Sequence, residues 1–120
     1  MILVDSSVWI DHFRGKENSL RVYLEREEVL MHPFVMGEIA CGNLKNRNYV
    51  LAMMANLPSA VTATDREALE FIERRSLHGR GLGYIDIHLF AATALTPDAL
   101  MWSLDSRLQR VAEEMEMAHE

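Results

Sequence analysis

Four acidic side chains stand where carboxylates could act together on one ligand. Asp5 and Asp105 each follow a short apolar run of the kind that forms a buried strand. Glu38 falls in the second turn of a helix predicted after another such run, and Asp86 in the first turn of an alanine-rich helix. Because ligand sites in open α/β sheets lie at the carboxyl ends of the strands, we expect all four acids near one edge of the sheet.

Carboxylates gathered in this way need a positive charge to offset their repulsion. Two like charges at about 4 Å cost roughly 1–4 kcal/mol, depending on the local dielectric. Hard divalent cations such as Mg²⁺ or Mn²⁺ take oxygen ligands and keep open positions for phosphate and water. The five histidines show no zinc spacing, and His88 is expected to be a core residue with a satisfied ring. The pattern therefore predicts an oxygen-ligated metal site.

Each acid taken singly also has an ordinary structural interpretation. Asp105 could cap a helix, and Asp86 could be a first-turn acid that faces the helix dipole. Glu38 could be a solvated acid on a helix surface. Asp5 is different, because a carboxylate that ends a buried strand needs partners. The joint pattern, rather than any one residue, indicates a site.

The elements that must position these acids alternate between strands and helices along the chain. The predicted strands are Met1–Val4, Val29–Met31, Ser59–Ala63 and Leu100–Leu104. The predicted helices run from Ser6 or Ser7 to near Gly15, over Leu20–Leu24, from Pro33 to Gly42, over Tyr49–Leu57, from the Thr64–Glu67 capping box to the glycine-rich run at 78–83, over Tyr84–Leu95 and over Asp105–Met115. The alternation predicts one α/β domain over residues 1–120 with a mostly parallel sheet.

Length and composition are those of an ordinary globular protein. The chain has 120 residues, 49% of them hydrophobic and 25% charged, which excludes disordered, collagen-like and coiled-coil classes. The lone Cys41, expected to be packed and inert, excludes an internal disulfide and indicates a reducing compartment. The first residues lack the basic start of a signal peptide, and the longest uncharged stretch, 48–64, is a poor membrane span. We expect a cytoplasmic protein without a membrane partner.

The motifs around the four acids resemble those of one known family. They are Val4-Asp5-Ser6-Ser7, Glu38 on a helix, Asp86-Ile87-His88-Leu89-Phe90-Ala91-Ala92 and Trp102-Ser103-Leu104-Asp105-Ser106-Arg107-Leu108. Their order and spacing, over essentially the whole chain, resemble the PIN-domain family and, within it, the VapC toxins of type II toxin–antitoxin pairs. The resemblance implies a parallel sheet flanked by helices, a metal-dependent endoribonuclease, a homodimer and a VapB-type antitoxin that holds the enzyme inactive.

The resemblance also implies roles for individual residues. By position, Asp5, Glu38, Asp86 and Asp105 match the family's acidic quartet, and they are the expected ligands of Mg²⁺ or Mn²⁺. Glu38 is expected to bind the metal directly or through water and to act as a general base. The metal would lower the pKa of a water, orient it toward a phosphodiester and offset the charge that develops at phosphorus.

Two serines are expected to orient a carboxylate or a water in this site. Ser7 matches the small hydroxyl or amide residue that stands two positions after the first acid in the family. Ser103 stands where a threonine is commoner, which is a mild departure. No further acid follows Asp105 closely, so the number of bound metals stays open.

The charge balance bears on how RNA would be held. The net charge of −6 argues against a passive nucleic-acid binder, which usually carries a basic footprint. Ten of the 12 basic residues are arginines, which suit bidentate phosphate contacts, and Arg14, Arg80 and Arg107 are the candidates for RNA binding. Arg80 lies in a glycine-rich run at 79–83 that lacks the spacing of a dinucleotide fingerprint and is expected to be a flexible loop.

Three other interpretations stay open. The chain could be a PIN-like ribonuclease of RNA processing without an antitoxin, or a non-catalytic scaffold that binds a partner. Phosphoryl transfer through an aspartyl phosphate at Asp5 is weaker, because Ser7 rather than a second acid stands two positions later. The only lysines, Lys16 and Lys45, also offer that chemistry little support.

Overall fold

Three short parallel strands form the sheet at the centre of the molecule. The computed structural model describes residues 1–16 and 18–120, and in it β1 (Ile2–Val4) lies between β2 (Val29–Leu30) and β3 (Leu100–Trp102). Both neighbours pair with β1 in parallel. All three residues of β1 are buried, as expected for the central strand of a parallel sheet that is covered on both faces.

Single bridges extend the sheet at both edges. Met31, just after β2, forms an isolated parallel bridge with Ser59, and Met101 of β3 forms another with Ala118. These bridges give backbone partners to strand edges that would otherwise be open to another chain.

Helices occupy most of the remaining chain. They are α1 (Ser6–Phe13), α2 (Leu20–Glu25), α3 (Pro33–Ala40), α4 (Arg47–Ala55), α5 (Asp65–Arg75), α6 (Tyr84–Leu95) and α7 (Ser106–Glu114). Among the helices of the described residues, none combines the length and apolarity needed to cross a membrane. The predicted α/β class with a parallel sheet flanked by helices is confirmed.

Local sequence signals explain where several helices begin. Thr64 and Glu67 form the predicted capping box: each backbone N–H donates to the other residue's side chain, at 2.9 and 3.1 Å. Pro33 occupies the first turn of α3, where its missing N–H costs nothing. Such caps satisfy backbone donors that have no partner inside the helix.

The helix α6 is the central helix of the core. It is buried without interruption from Ile87 to Thr93 and packs against α5 and β3. Trp9 of α1 and Phe90 of α6 are the largest fully buried side chains. His88 lies in this buried stretch and its ring is satisfied, since its Nε2 lies 3.1 Å from Oδ1 of Asp65. The expectation of a core histidine is therefore confirmed.

Some predicted elements differ from the structure. The predicted strand Ser59–Ala63 is wrong: only Ser59 bridges the sheet, and the backbone N–H of Val61 donates instead to the hydroxyl of Thr96. The strand predicted over Val29–Met31 ends one residue earlier, and the strand predicted over Leu100–Leu104 ends two residues earlier, because the chain turns toward α7. Cys41 is exposed rather than packed.

Candidate metal centre

The chain topology brings the four predicted acids to one edge of the sheet. Asp5 follows β1, Asp105 lies between β3 and α7, and Glu38 lies in the second turn of α3, which follows β2. Parallel strands end at the same edge. The helix α6 leads into the start of β3, so the first turn of α6, which carries Asp86, also lies toward the carboxyl ends.

Asp5 is nearly buried and is held by two hydroxyls. The residue is 7% exposed, and its side-chain Oδ2 accepts hydrogen bonds from Ser7 Oγ at 2.7 Å and from Ser103 Oγ at 2.9 Å. Because both hydroxyl protons are used in this way, the 3.4 Å contact between the two serine oxygens is not a third hydrogen bond. The two bonds fix the plane of the carboxylate.

The same hydroxyls also bind the backbone that follows β3. Ser7 Oγ accepts from the N–H of Leu104 at 3.0 Å, and Ser103 Oγ accepts from the N–H of Asp105 at 3.0 Å. Each serine therefore donates to the first acid and accepts from the segment that carries the last acid. This arrangement ties Asp5 and Asp105 together across the sheet edge.

Asp86 is half-buried at the start of α6. Its Oδ2 accepts a 2.9 Å hydrogen bond from the backbone N–H of Gly83, which lowers its pKa. Burial has the larger, opposite effect, and the negative charges of Asp5 and Asp105 add to it, so the pKa of Asp86 is raised overall. The positive charge of Arg107 offsets part of this increase.

Glu38 shares this electrostatic environment from the helix α3. Partial burial raises the pKa of its carboxyl group, and the negative charges of Asp5 and Asp86 raise it further. A hydrogen bond from Ser6 offsets part of the increase. The charges of these carboxylates therefore act on one another at this edge, which is the electrostatic cost of a concentrated acidic site.

Asp105 caps α7. Its Oδ1 accepts from the backbone N–H groups of Arg107 at 2.9 Å and Leu108 at 3.4 Å. The ordinary interpretation of this residue as a helix cap is therefore correct. Capping uses only one carboxylate oxygen, so it leaves the residue able to bind a cation as well.

The donor chemistry of the site fits a hard cation. Within the described residues, one oxygen of each aspartate (Oδ2 of Asp5, Oδ2 of Asp86 and Oδ1 of Asp105) takes hydrogen bonds, and none involves the second oxygen. Carboxylate oxygens are the ligands that Mg²⁺ and Mn²⁺ prefer. In residues 1–16 and 18–120, however, no three acidic, histidine or cysteine side chains lie close enough together to hold a metal ion as they stand.

The three predicted RNA-binding arginines lie in different surroundings. Arg80 forms a 2.8 Å ion pair with Glu114 of α7, and Arg107 donates a 2.6 Å hydrogen bond to the carbonyl of Gly81. These two contacts tie the glycine-rich loop to α7. Arg14 instead lines a cavity that also contains Glu38.

His32 is a site-supporting residue that sequence reasoning missed. Its Nδ1 accepts the backbone N–H of Phe34 at 3.0 Å, so this buried ring caps the helix that carries Glu38. Burial and the neighbouring His88 lower its pKa to about 4, which keeps the ring neutral and able to accept. The adjacent Pro33 marked the helix start, but histidine is not among the usual capping residues.

Comparisons with known proteins agree with this architecture. The family model described as PIN domain matches residues 2–114 of the chain. Two proteins named Ribonuclease VapC32, from Mycobacterium tuberculosis strains CDC 1551 / Oshkosh and H37Rv, are each 42% identical to this chain over 118 residues. The matched region covers 98% of this chain and 95% of each relative.

Proposed function

The chain belongs to the PIN-domain family, and from that premise we propose that it is a metal-dependent endoribonuclease of the VapC type. It hydrolyses RNA phosphodiester bonds as the toxin of a type II toxin–antitoxin pair. The observation that carries this proposal is the paired hydrogen bonding of Asp5 by Ser7 and Ser103, at the edge where three further acids lie. The similarity to relatives named as ribonucleases supports the reaction class.

Asp5, Asp86 and Asp105 would hold Mg²⁺ or Mn²⁺ through the carboxylate oxygens that take no hydrogen bond in the described structure. When bound, the cation supplies an activated water and the positive charge that offsets charge developing on the phosphodiester. Ser7 and Ser103 keep the carboxylate of Asp5 in one orientation, and Asp105 keeps its own orientation through the helix cap.

Glu38 is proposed to take a proton from the attacking water, or to bind the metal through a water. Its partial burial, and then the negative charges of Asp5 and Asp86, raise the pKa of its carboxyl group, which makes the carboxylate a better base. Its place on α3, beside Ser6 at the start of α1, leaves the residue exposed to solvent and substrate.

The proposed partners are a VapB-type antitoxin and a second copy of the chain. Exposed apolar side chains on several helices support this part of the proposal, because apolar surface left open on a globular protein is available to an interface. Tyr49 of α4 is 75% exposed, and Val22 of α2 and Leu69 of α5 are also exposed. An arginine of the antitoxin would be suited to pair with the acidic centre. Residues 1–120 are proposed to act as one cytoplasmic ribonuclease domain.

Cleavage of RNA with and without metal tests this function. The purified chain should cleave single-stranded RNA, lose that activity in EDTA and regain it with Mg²⁺ or Mn²⁺. The Asp5→Asn variant, purified by the same procedure, should not cleave RNA. Its inactivity would exclude a contaminating nuclease as the source of the cleavage. Full activity in EDTA would contradict the metal mechanism, and RNA binding without cleavage under any metal condition would favour a scaffold.

A further inference from the structure

A cavity of about 490 Å³ opens beside the acidic centre. Ile10 and Phe13 of α1, with Arg14 just beyond its end, line one side of this cavity. Glu38 and Ile39 of α3 form the second wall, and the loop at residues 42–45 closes the third side. Because Glu38 lines this cavity and also belongs to the acidic centre, the cavity adjoins that centre.

The loop wall of the cavity is fixed in place by one arginine. The guanidinium of Arg47, at the start of α4, donates to the carbonyl of Gly42 at 2.9 Å and to the carbonyl of Ala40. These bonds tie the loop to the end of α3. The loop therefore presents Leu44 and Lys45 to the cavity from a constrained backbone.

The floor of the cavity is apolar and contains an oriented aromatic ring. Phe13 is half-buried, and its ring stacks on the fully buried Trp9 with centroids 5.7 Å apart and planes 29° from parallel. Ile39 is buried beside it and Leu44 is half-buried. A ring held on one side by the core offers its surface to a flat ligand without losing further conformational freedom.

The mouth of the cavity carries positive charge. Arg14 and Lys45 are exposed there, and within the described residues neither forms an ion pair, whereas Lys16, Arg21 and Arg80 each do. In a chain with a net charge of −6, these two cations make the mouth locally positive, although the carboxylate of Glu38 lines the second wall. An apolar, ring-bearing floor with cations at its rim fits a nucleotide better than it fits a small anion alone.

We propose that this cavity binds the nucleotide next to the scissile phosphate of a single-stranded RNA. The base lies on Phe13 and its aliphatic neighbours, and the following phosphate lies between Arg14 and Lys45. Stacking on an aromatic ring accepts every base, so this subsite contributes affinity and register more than sequence choice. The proposal rests on the proposed ribonuclease function, since it places the substrate relative to Glu38.

A binding measurement that does not depend on cleavage tests the subsite. The probe is a fluorescein-labelled single-stranded RNA of mixed sequence, titrated with the Asp5→Asn protein so that the probe stays intact. Adding Arg14→Gln or Lys45→Gln should lower the slope of log affinity against log salt by about 0.7 each, as expected for one lost phosphate contact on a single strand. Phe13→Leu should weaken binding about 5-fold or more at all salt concentrations. The matched control is Arg66→Gln, an exposed arginine of α5 outside the cavity, which should leave the slope unchanged.

Steady-state cleavage separates this proposal from the function on which it rests. In the wild-type background, Lys45→Gln should raise KM for RNA and leave kcat within about 2-fold.

If the wild type cleaves RNA but the cavity variants bind and cleave as it does, the subsite is wrong and the ribonuclease function stands. If the wild type does not cleave RNA while the salt slopes change as expected, the function is wrong and the RNA-binding cavity stands. If the variants lose binding of an amphipathic antitoxin segment and keep RNA affinity, the cavity is a protein-binding groove and the proposal is overturned.

Discussion

The hydroxyl of Ser103 donates a 2.9 Å hydrogen bond to Oδ2 of Asp5, which stands 98 residues earlier in the chain. The bond is buried, and it joins the ends of two neighbouring strands of the sheet. The same hydroxyl accepts the backbone N–H of Asp105. Ser103 therefore connects two of the acids proposed to bind metal, without being a candidate ligand itself.

Removing this hydroxyl should weaken the proposed centre without unfolding the protein. Ser103→Ala should lower metal affinity or RNA cleavage by about 10-fold or more, the usual effect of losing a group that orients a metal ligand. The free energy of unfolding should fall by about 2–3 kcal/mol, because two hydrogen bonds are lost and one of them is donated to a carboxylate. Cleavage kinetics and urea unfolding measure the two effects. The control is Ser19→Ala, because Ser19 is exposed and makes no cap hydrogen bond. Ser103→Ala with wild-type metal affinity and activity would contradict the role given to Ser103.

Neutralising one acid should relieve repulsion in the metal-free protein. The pKa of Asp86 is raised, so the folded state binds this proton more tightly than the unfolded state does. At neutral pH, where the carboxyl group is ionised, its charge therefore destabilises the fold. Asp86→Asn should abolish cleavage and leave the metal-free stability at neutral pH equal or higher by about 0.5–2 kcal/mol. The amide oxygen can still accept the N–H of Gly83. The gain should vanish at acid pH, where the carboxyl group is protonated in both states.

Thermal melts in EDTA at neutral and acid pH check this prediction. Asp98→Asn is the matched control, since Asp98 is exposed and its left-handed backbone (φ 58°) suits asparagine. Its stability should change by less than about 0.5 kcal/mol. If Asp86 were only a helix-dipole acid, Asp86→Asn would instead lose roughly 0.3–1 kcal/mol at neutral pH.

The buried cap of α3 should make stability depend on pH. His32 has its pKa lowered to about 4, so its contribution to stability is complete above the ordinary value of 6.5 and is lost as the pH falls toward 4. The loss should reach at most about 3 kcal/mol, because one pKa unit corresponds to about 1.4 kcal/mol. Urea unfolding at several pH values in this window measures it. His32→Asn keeps a cap acceptor and should flatten this dependence, whereas the exposed His78→Asn should not. If the free energy of unfolding of His32→Asn varied with pH as steeply as that of the wild type, His32 would not be the source of the pH dependence.

Two glycines of one loop offer a matched comparison. Gly79 and Gly81 both have positive φ, at 71° and 75°, so alanine is strained at either position by roughly 1–2 kcal/mol. A Cβ at Gly79 meets no atom within 4 Å, whereas a Cβ at Gly81 lies 2.7 Å from the guanidinium of Arg107. Gly81→Ala must therefore displace the side chain that donates to its carbonyl, and it should cost about 0.5–1.5 kcal/mol more than Gly79→Ala. Equal losses in urea unfolding would mean that the Arg107 contact does not stabilise the loop.

Local patterns predicted most helices but not every pairing partner. The capping box at Thr64 and Glu67 and the proline at the start of α3 depend on neighbours in sequence, so the sequence indicates them directly. The run Ser59–Ala63 has the composition of a strand, yet a strand exists only where a neighbour pairs with it. Here the backbone beyond the bridge finds Thr96 instead. The composition of the segment itself cannot show whether its backbone pairs with a strand or with a distant side chain such as that of Thr96.

The candidate site likewise has features that the sequence indicated and contacts that only the folded structure shows. The positions of Asp5, Glu38, Asp86 and Asp105 after strands and in first or second helical turns were readable from the chain, although their joint role stays a prediction. The contacts that occupy Arg80 and Arg107 were not readable, because their partners, Glu114 and the carbonyl of Gly81, are 34 and 26 residues away. Only packing of the glycine-rich loop on α7 brings these groups together.

Calorimetric titration of Mn²⁺ tests most directly whether the acids form a metal centre. The wild-type protein and Asp98→Asn should bind Mn²⁺ with the same affinity, while Asp5→Asn and Asp86→Asn should bind it at least about 10-fold more weakly. Thermal melts of the same samples should show that Mn²⁺ stabilises the wild type and Asp98→Asn more than Asp5→Asn and Asp86→Asn. A ligand that binds only the folded state shifts unfolding by mass action. Equal Mn²⁺ affinity in all four folded proteins would contradict the account and make these carboxylates structural.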